Sequence, residues 1–363
     1  MILFILKHYT TSTMKIIGIN QHQTCRTQRK KYKPISRGQL EVPLNWLFTL
    51  IAGAIILVTF FAFIQKQKAA NELSIAESII SDLTAISSKA STSKGTSQLI
   101  EFPEIDVLFA CTQDCSCTLS IGAVNKPFGE TIIFSPPIIR GPNMILYAFD
   151  WKVPFRVTNF LAITNNRIKY VIVVPHMTPE IDRILSILPG NININISTGT
   201  AAILAKNIRQ SSGRTRFIYF DSGQCNQFRN EEKDISCLEV NTETKKLTFY
   251  YKNKRGQYLG PITASYINEG DLIAAFFSEH PDQYSCNMNT AYNKLSNIAS
   301  LYAIRAAALN TPTCQLGYDQ VVINLNSLSH AARRRDSTQI LDFYNKINNL
   351  SKEYFGGSCP EIY

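Results

Sequence analysis

Leu44 to Ile64 runs for 21 residues without one ionisable side chain (LNWLFTLIAGAIILVTFFAFI). At about 1.5 Å per residue, a helix of that length covers the roughly 30 Å hydrocarbon core of a bilayer. Pro43 suits a first-turn position, where its missing N–H is no loss. Trp46 lies where an interfacial aromatic belt would be. The run exceeds the usual length of a buried core helix. It also exceeds the apolar stretch of a cleaved secretory signal, and no A-x-A site follows it directly. The segment therefore reads as a membrane-spanning signal-anchor.

Charge gives the segment a direction. Of the 37 Lys and Arg residues, eight fall in residues 1–40, which hold no acidic side chain; the rest of the chain carries 29 basic against 27 acidic side chains. Of the formal charge of +10, +8 thus belongs to the tail. A folded nucleic-acid module carries its positive patch on the fold itself, so nucleic acid is not an expected partner and the lipid bilayer is. Arg26, Arg29, Lys30, Lys31, Lys33 and Arg37 precede the span, and only Lys66 and Lys68 follow it closely. The positive-inside rule then places the N-terminus in the cytosol and residues 65–363 across the membrane. Met1–Leu6 is apolar but too short to span, and Met14 is an alternative start.

Cysteine usage agrees with that placement. Cys25 lies in the tail; Cys111, Cys115, Cys117, Cys225, Cys237, Cys286, Cys314 and Cys359 all follow the span. An even number outside the cytosol is compatible with up to four disulfides, in any of 105 pairings. Cys225 and Cys237, across a polar loop, form the most plausible local bridge, and Cys286, Cys314 and Cys359 offer another near the C-terminus. Cys111, Cys115 and Cys117 lack the paired CxxC spacing and the nearby histidine of a zinc site, so no metal is expected. Asn195 and Asn349 open N-x-S sequons, possible glycan acceptors.

The chain divides into a basic cytosolic tail (1–43), the transmembrane helix (44–64), a stalk helix with a Ser/Thr-rich linker (65–98) and an extracytoplasmic α/β domain (99–363). Leu73, Ala76, Ile80 and Leu83 recur at three- and four-residue steps, one apolar stripe on the stalk. Ser87–Ser97 reads as a flexible linker. Short strands are predicted at Ile105–Cys111, Cys117–Ile121, Thr131–Phe134 and Met144–Asp150. From residue 170 the pattern alternates: strand Tyr170–Val174, helix Pro179–Leu188, strand Asn191–Ile196, helix Ala201–Ile208, strand Arg216–Phe220. Such β-α-β-α-β order indicates a parallel sheet with helical crossovers. Cys237–Val240, Leu247–Lys252 and Tyr258–Ala264 form an antiparallel meander. Leu272–Phe277 reads as a further apolar strand. It feeds a helix at about 282–309, with Leu295, Ile298, Leu301, Tyr302 and Ile304 facing the core, and a last helix covers 337–352. The fold class is mixed α/β.

No G-x-G-x-x-G, Walker A, G-x-S-x-G or H-E-x-x-H motif occurs, and no cofactor is expected. In open α/β sheets ligands bind beyond the carboxyl ends of parallel strands. The predicted strands end in polar segments that would gather His176, Thr198, Asp221, Ser222 and His280 at one edge. His176, Asp221, Ser222 and His280 are the candidate catalytic groups for acid/base or nucleophilic work. Thr198, Gly199 and Thr200, opening a helix, are candidate anion ligands. The same residue types cap helices and form turns in sheets with no site. Asp150, Trp151 and Arg156 read as structural pairing and core packing.

Arg37-Gly38-Gln39 and the later VPFRVTNFL stretch, Val153 to Leu161, resemble a family of uncharacterised archaeal single-pass membrane proteins. That resemblance implies topology and no activity. Arg37-Gly38 also resembles the leader of type IV pilin-like proteins, which implies cleavage between Gly38 and Gln39; Glu41 stands third and Pro43 fifth, where such leaders place glutamate fifth. The leading expectation is a structural or interaction role at the cell surface, with other envelope or surface proteins as partners. A membrane-tethered hydrolase and a pilin-like subunit are the alternatives.

Overall fold

In the computed structural model, residues 44–90, 95–112, 114–198, 213–229, 234–253, 255–312, 314–354 and 359–363 are described. The tail, the Gly38–Gln39 processing position, Gly199, Thr200 and the helix expected at 201–208 lie outside them. The chain is mixed α/β, with an apolar N-terminal helix, sheets of both strand polarities and C-terminal helices. It divides into two compact units, Met1–Phe63 and Ile64–Tyr363.

Helix α1 (Leu44–Ala90) contains the apolar run, and its segment Trp46–Gln67 is long and apolar enough to cross a membrane. The large apolar side chains from Trp46 to Ile64 are all exposed, whereas a helix buried in a protein core would hide them. In the second unit, the later turns of α1 bury Ala76, Ile80 and Leu83, and Leu73 at the head of the stripe remains exposed. The stalk is thus a packed element. Helix continues through Ala90 and β1 begins at Thr96, so the expected linker is shorter than Ser87–Ser97.

Strands β1 (Thr96–Cys111), β2 (Cys117–Ile121), β3 (Val124–Pro127), β4 (Ile133–Phe134), β5 (Ile138–Lys152) and β6 (Arg156–Thr164) form one sheet. Its order is β3-β2-β1-β5-β6-β4, antiparallel except where β4 meets β6. Successive side chains of a strand face opposite ways, and β5 uses both directions. Met144, Leu146 and Ala148 join the core beneath α1, while Ile145, Tyr147, Phe149 and Trp151 enter the main core.

The second sheet holds β7 (Lys169–Val174), β8 (Ile194–Thr198), β9 (Thr215–Tyr219), β10 (Ile235–Asn241), β11 (Lys246–Lys252) and β12 (Tyr258–Ser265), in the order β12-β11-β10-β9-β7-β8. The strands from β8 to β10 are parallel, and β10-β11-β12 is the antiparallel meander. Helix α2 (Pro179–Ile187) connects β7 to β8, its N-terminus capped by Thr178. Tyr170, Ile172 and Val174 face the main core; Val171 and Val173 face a smaller one with Phe217 and Phe228.

Leu272–Phe277 is helical, not a strand: α3 spans Glu269–Phe277. Every residue from Asp271 to Phe277 is buried, so no polar face interrupts the apolar run and period alone cannot tell it from a buried strand. The deciding signal is local. Asn268 Oδ1 accepts from Asp271 N (3.2 Å), and Asp271 Oδ2 accepts from Ile267 N (2.6 Å), a reciprocal cap at the helix start.

Helices α4 (Pro281–Ala308), α5 (Gln315–Arg334) and α6 (Ser337–Tyr354) complete the unit; α5 has no counterpart among the sequence expectations. Leu295 is buried as expected, but Leu301 and Ile304 are exposed. The buried face of α4 runs through Ala291, Leu295, Ala299, Ala303 and Ala306. Small side chains let α5 approach closely enough for Ser296 and Ser300 to bond Ser329 (3.0 and 2.9 Å).

All eight cysteines after α1's apolar run are paired: Cys111–Cys117, Cys115–Cys286, Cys225–Cys237 and Cys314–Cys359. The Cys225–Cys237 expectation holds, and Cys286 reaches back to the β1–β2 turn. By chain entropy, closing a loop of 171 residues is worth on the order of 5 kcal/mol and one of 6 residues about 2 kcal/mol. The Cys115→Ser/Cys286→Ser pair should therefore lower the urea midpoint about twice as far as Cys111→Ser/Cys117→Ser. Equal shifts in equilibrium unfolding would contradict this account.

Candidate functional site

At the carboxyl ends of β7, β8 and β9, the structure brings His176, Thr198, Asp221 and Ser222 to one edge. The strands are in parallel register there, Val174 beside Thr198 and Val173 beside Tyr219. All four residues are exposed. Asp221 Oδ1 accepts from Ser222 N (2.7 Å) and its other oxygen from Gln224 Nε2 (3.4 Å), so the carboxylate organises its own turn ahead of the short helix Cys225–Phe228. His280 is not part of this edge. It follows α3 and its ring lies 4.1 Å from that of Tyr251, beside the amino end of β10. The expectation failed there because Leu272–Phe277 is not a strand.

The opposite, amino edge of the parallel strands has a polar cleft of about 470 Å³, within the range of small-molecule sites. It is built where the two sheets join. Arg140 comes from β5; Asn165 and Arg167 come from the turn carrying the chain from β6 into β7; Arg214 and Asp234 stand just before β9 and β10. Ile138 and Ile168 supply apolar wall. Asn165 Nδ2 donates to Arg140 O (2.7 Å) and Arg214 Nη1 to Ile138 O (3.2 Å), which ties both parts of the cleft to β5.

Each arginine has a carboxylate partner. Arg140 Nε meets Asp106 Oδ2 (3.2 Å), Arg167 Nη1 meets Glu104 Oε1 (2.8 Å), and Arg214 Nε meets Asp234 Oδ2 (2.8 Å). Glu279 Oε2 lies 3.4 Å from Arg214 Nη1, behind the cleft. Gly141, at φ +128°, lets Arg167 lie across the strand: a Cβ there would stand 3.0 Å from Arg167 Nε. Burial works against the charge of Arg214, but Glu279 and Asp234 outweigh it and raise its pKa. Burial pushes the Glu279 carboxyl up, with Arg214 and Arg216 offsetting part of that. Asn165 is 1% exposed, and its buried Oδ1 has no hydrogen-bond partner. No sequence motif marks this site, because its residues come from four separate stretches. A second, apolar cleft of about 570 Å³ lies between α1 and β1–β3, lined by Leu73, Ala76, Leu108 and Ile121.

Among the described residues no cluster of His, Cys, Asp or Glu is arranged to hold a metal ion. Cys111, Cys115 and Cys117 are consumed by disulfides. Trp151 is fully buried and donates through Nε1 to Asp271 Oδ1, Asp150 pairs with Lys152 (2.8 Å), and Arg156 bonds Asn159 (3.0 Å). Trp151 is thus core packing, and Asp150 and Arg156 make structural pairs nearer the surface.

Burial pushes the Asp271 carboxyl up to about 7, against the hydrogen bonds from Ile267 and Trp151. It lies inside the core and serves the fold. Its folded pKa is above its unfolded one, so between about pH 4 and 7 the native state holds the extra proton. Stability from this group is complete below pH 4 and is lost as pH rises through 7, at about 1.4 kcal/mol per pH unit. Urea midpoints from pH 5 to 8 should fall with pH more steeply in the native protein than in Asp271→Asn. Parallel pH curves would refute the assignment. No protein-family model, no curated protein and no solved structure matches this chain.

Proposed function

We propose that the chain is a single-pass membrane protein with a cytosolic basic tail, whose disulfide-bonded α/β unit works outside the cytosol as a structural or interaction module. The observation that carries this reading is the pairing of every cysteine beyond the apolar helix into four disulfides. Such bonds persist in oxidising compartments and are rare in the cytosol. The cationic flank of the span supports the same orientation. Both sequons, Asn195 and Asn349, are exposed, as a surface unit reached by glycosylating enzymes would need. Partners on this reading are the bilayer and other envelope or surface proteins.

An interaction role is favoured over the hydrolase alternative because Asp221 bonds Ser222 N and Gln224 in its own turn and, among the described residues, makes no hydrogen bond to His176. A catalytic base must reach the proton it abstracts. The pilin-like alternative rests on the Arg37-Gly38-Gln39 leader pattern, and a mature chain beginning at Gln39 in intact-mass analysis would favour it.

Orientation is tested on intact cells with a membrane-impermeant thiol reagent. After mild reduction, cysteines beyond the span should label from outside while Cys25 labels only after lysis. Labelling of Cys25 in sealed cells, or full labelling of the other eight without reductant, sinks the proposal.

A further inference from the structure

We propose that the cleft at the amino edge of the parallel strands binds a sugar-sized molecule carrying an oxyanion and hydroxyl groups, of the class of uronic acids and sugar phosphates. The inference is independent of membrane orientation. The cleft wall carries Arg140, Arg167, Arg214 and Asp234, while Asp106, Glu104 and Glu279 meet the arginines from outside the wall. Guanidinium groups are planar forks that take a carboxylate or phosphate through two N–H bonds at once. Here Asp106 takes only Nε of Arg140, and Glu104 only Nη1 of Arg167. Among the described residues the remaining N–H groups of these two side chains have no protein acceptor. Both side chains are more than half exposed, so an incoming oxyanion displaces only water. Gly141 fixes where the Arg167 fork lies.

The second half of the ligand follows from the acceptors. The Asp234 carboxylate on the wall is half exposed and bonded to Arg214 through Oδ2, which leaves it capacity to accept from further donors. A bare inorganic anion at neutral pH supplies few donors and would be repelled by Asp234. Hydroxyls beside an oxyanion satisfy both sets of groups. The volume, about 470 Å³, suits one or two sugar rings. Ile138 and Ile168 offer apolar wall for the C–H face of a ring.

The test is calorimetric titration of the full chain in detergent with glucuronate, glucose 6-phosphate, glucose and sodium phosphate. Saturable binding of at least one charged sugar is expected, at least tenfold tighter than phosphate, with none for glucose. Arg140→Gln/Arg167→Gln, at exposed positions, should lower that affinity at least tenfold while leaving the thermal transition in place. Arg140→Lys/Arg167→Lys, which keeps charge and removes the forks, should lose affinity too. Glu104→Gln/Asp106→Asn releases the arginines and should tighten binding about two- to fivefold, the equivalent of an exposed ion pair; arginines that only brace β1 against its neighbours would give no gain. The proposal is overturned if neither charged sugar binds, if glucose or phosphate binds as tightly, or if the arginine variants bind unchanged.

Discussion

Helix α3 is buried on all sides, and the rest of the folded unit is organised around satisfying it. Both sheets contribute to its surroundings: Phe277 meets Tyr170 of β7 edge to face, Phe276 meets Phe220, and Trp151 of β5 donates to Asp271. A helix without an exposed side has no water to complete its end groups, so side chains must do it. At the start, Asn268 and Asp271 cap the N–H groups, and Asn268 Nδ2 reaches Lys152 O (2.7 Å). At the end, fully buried Arg216 donates from Nη2 to Ala275 O (3.1 Å) and Ser278 O (2.6 Å). The Arg216 guanidinium at the C-terminal turn complements the helix dipole. Burial pulls the Arg216 pKa down to about 10, although Glu279 acts in the opposite direction.

That arrangement accounts for the polar edge. Arg216 begins the second residue of β9, and Arg214, two residues earlier, points to the same side of the strand. One arginine closes the end of α3 and the other opens onto the cleft, with Glu279 behind both. Arg216 behind the cleft belongs to the helix cap, Arg214 on the wall is largely buried, and Arg140 and Arg167 face solvent. The carboxyl edge of the same sheet lacks such backing: Asp221 and Ser222 close a turn on the surface.

Disulfides tie turns, a short helix and the C-terminal segment to the sheets and helices beside them. Cys111–Cys117 closes the β1–β2 turn, Cys225–Cys237 holds the short helix over the outer face of the second sheet, and Cys314–Cys359 joins the start of α5 to the C-terminal segment. Cys115–Cys286 differs in joining elements from distant parts of the chain, the first sheet and α4. The later turns of α1 add a helix to the free face of the first sheet through Ala76, Ile80 and Leu83, so that sheet is covered on both faces.

The sequence by itself determined the features that depend on local chemistry. An uncharged run of 21 residues, a one-sided charge flank, the α1 stripe, the β7-α2-β8 alternation and the β10–β12 meander are all written in neighbouring residues. Tertiary structure decided what local pattern leaves ambiguous. An apolar stretch buried all round carries no period, so α3 reads as a strand until Asn268 and Asp271 are seen to cap it. On α4, Leu301 and Ile304 read as core by size, yet alanines form the buried face, because close approach of α5 favours small side chains over large ones. The pairing of Cys115 with Cys286 and the cleft of Arg140, Asn165, Arg167, Arg214 and Asp234 have no local signature. Their members come from different strands and turns, and only the joining of two sheets brings them together.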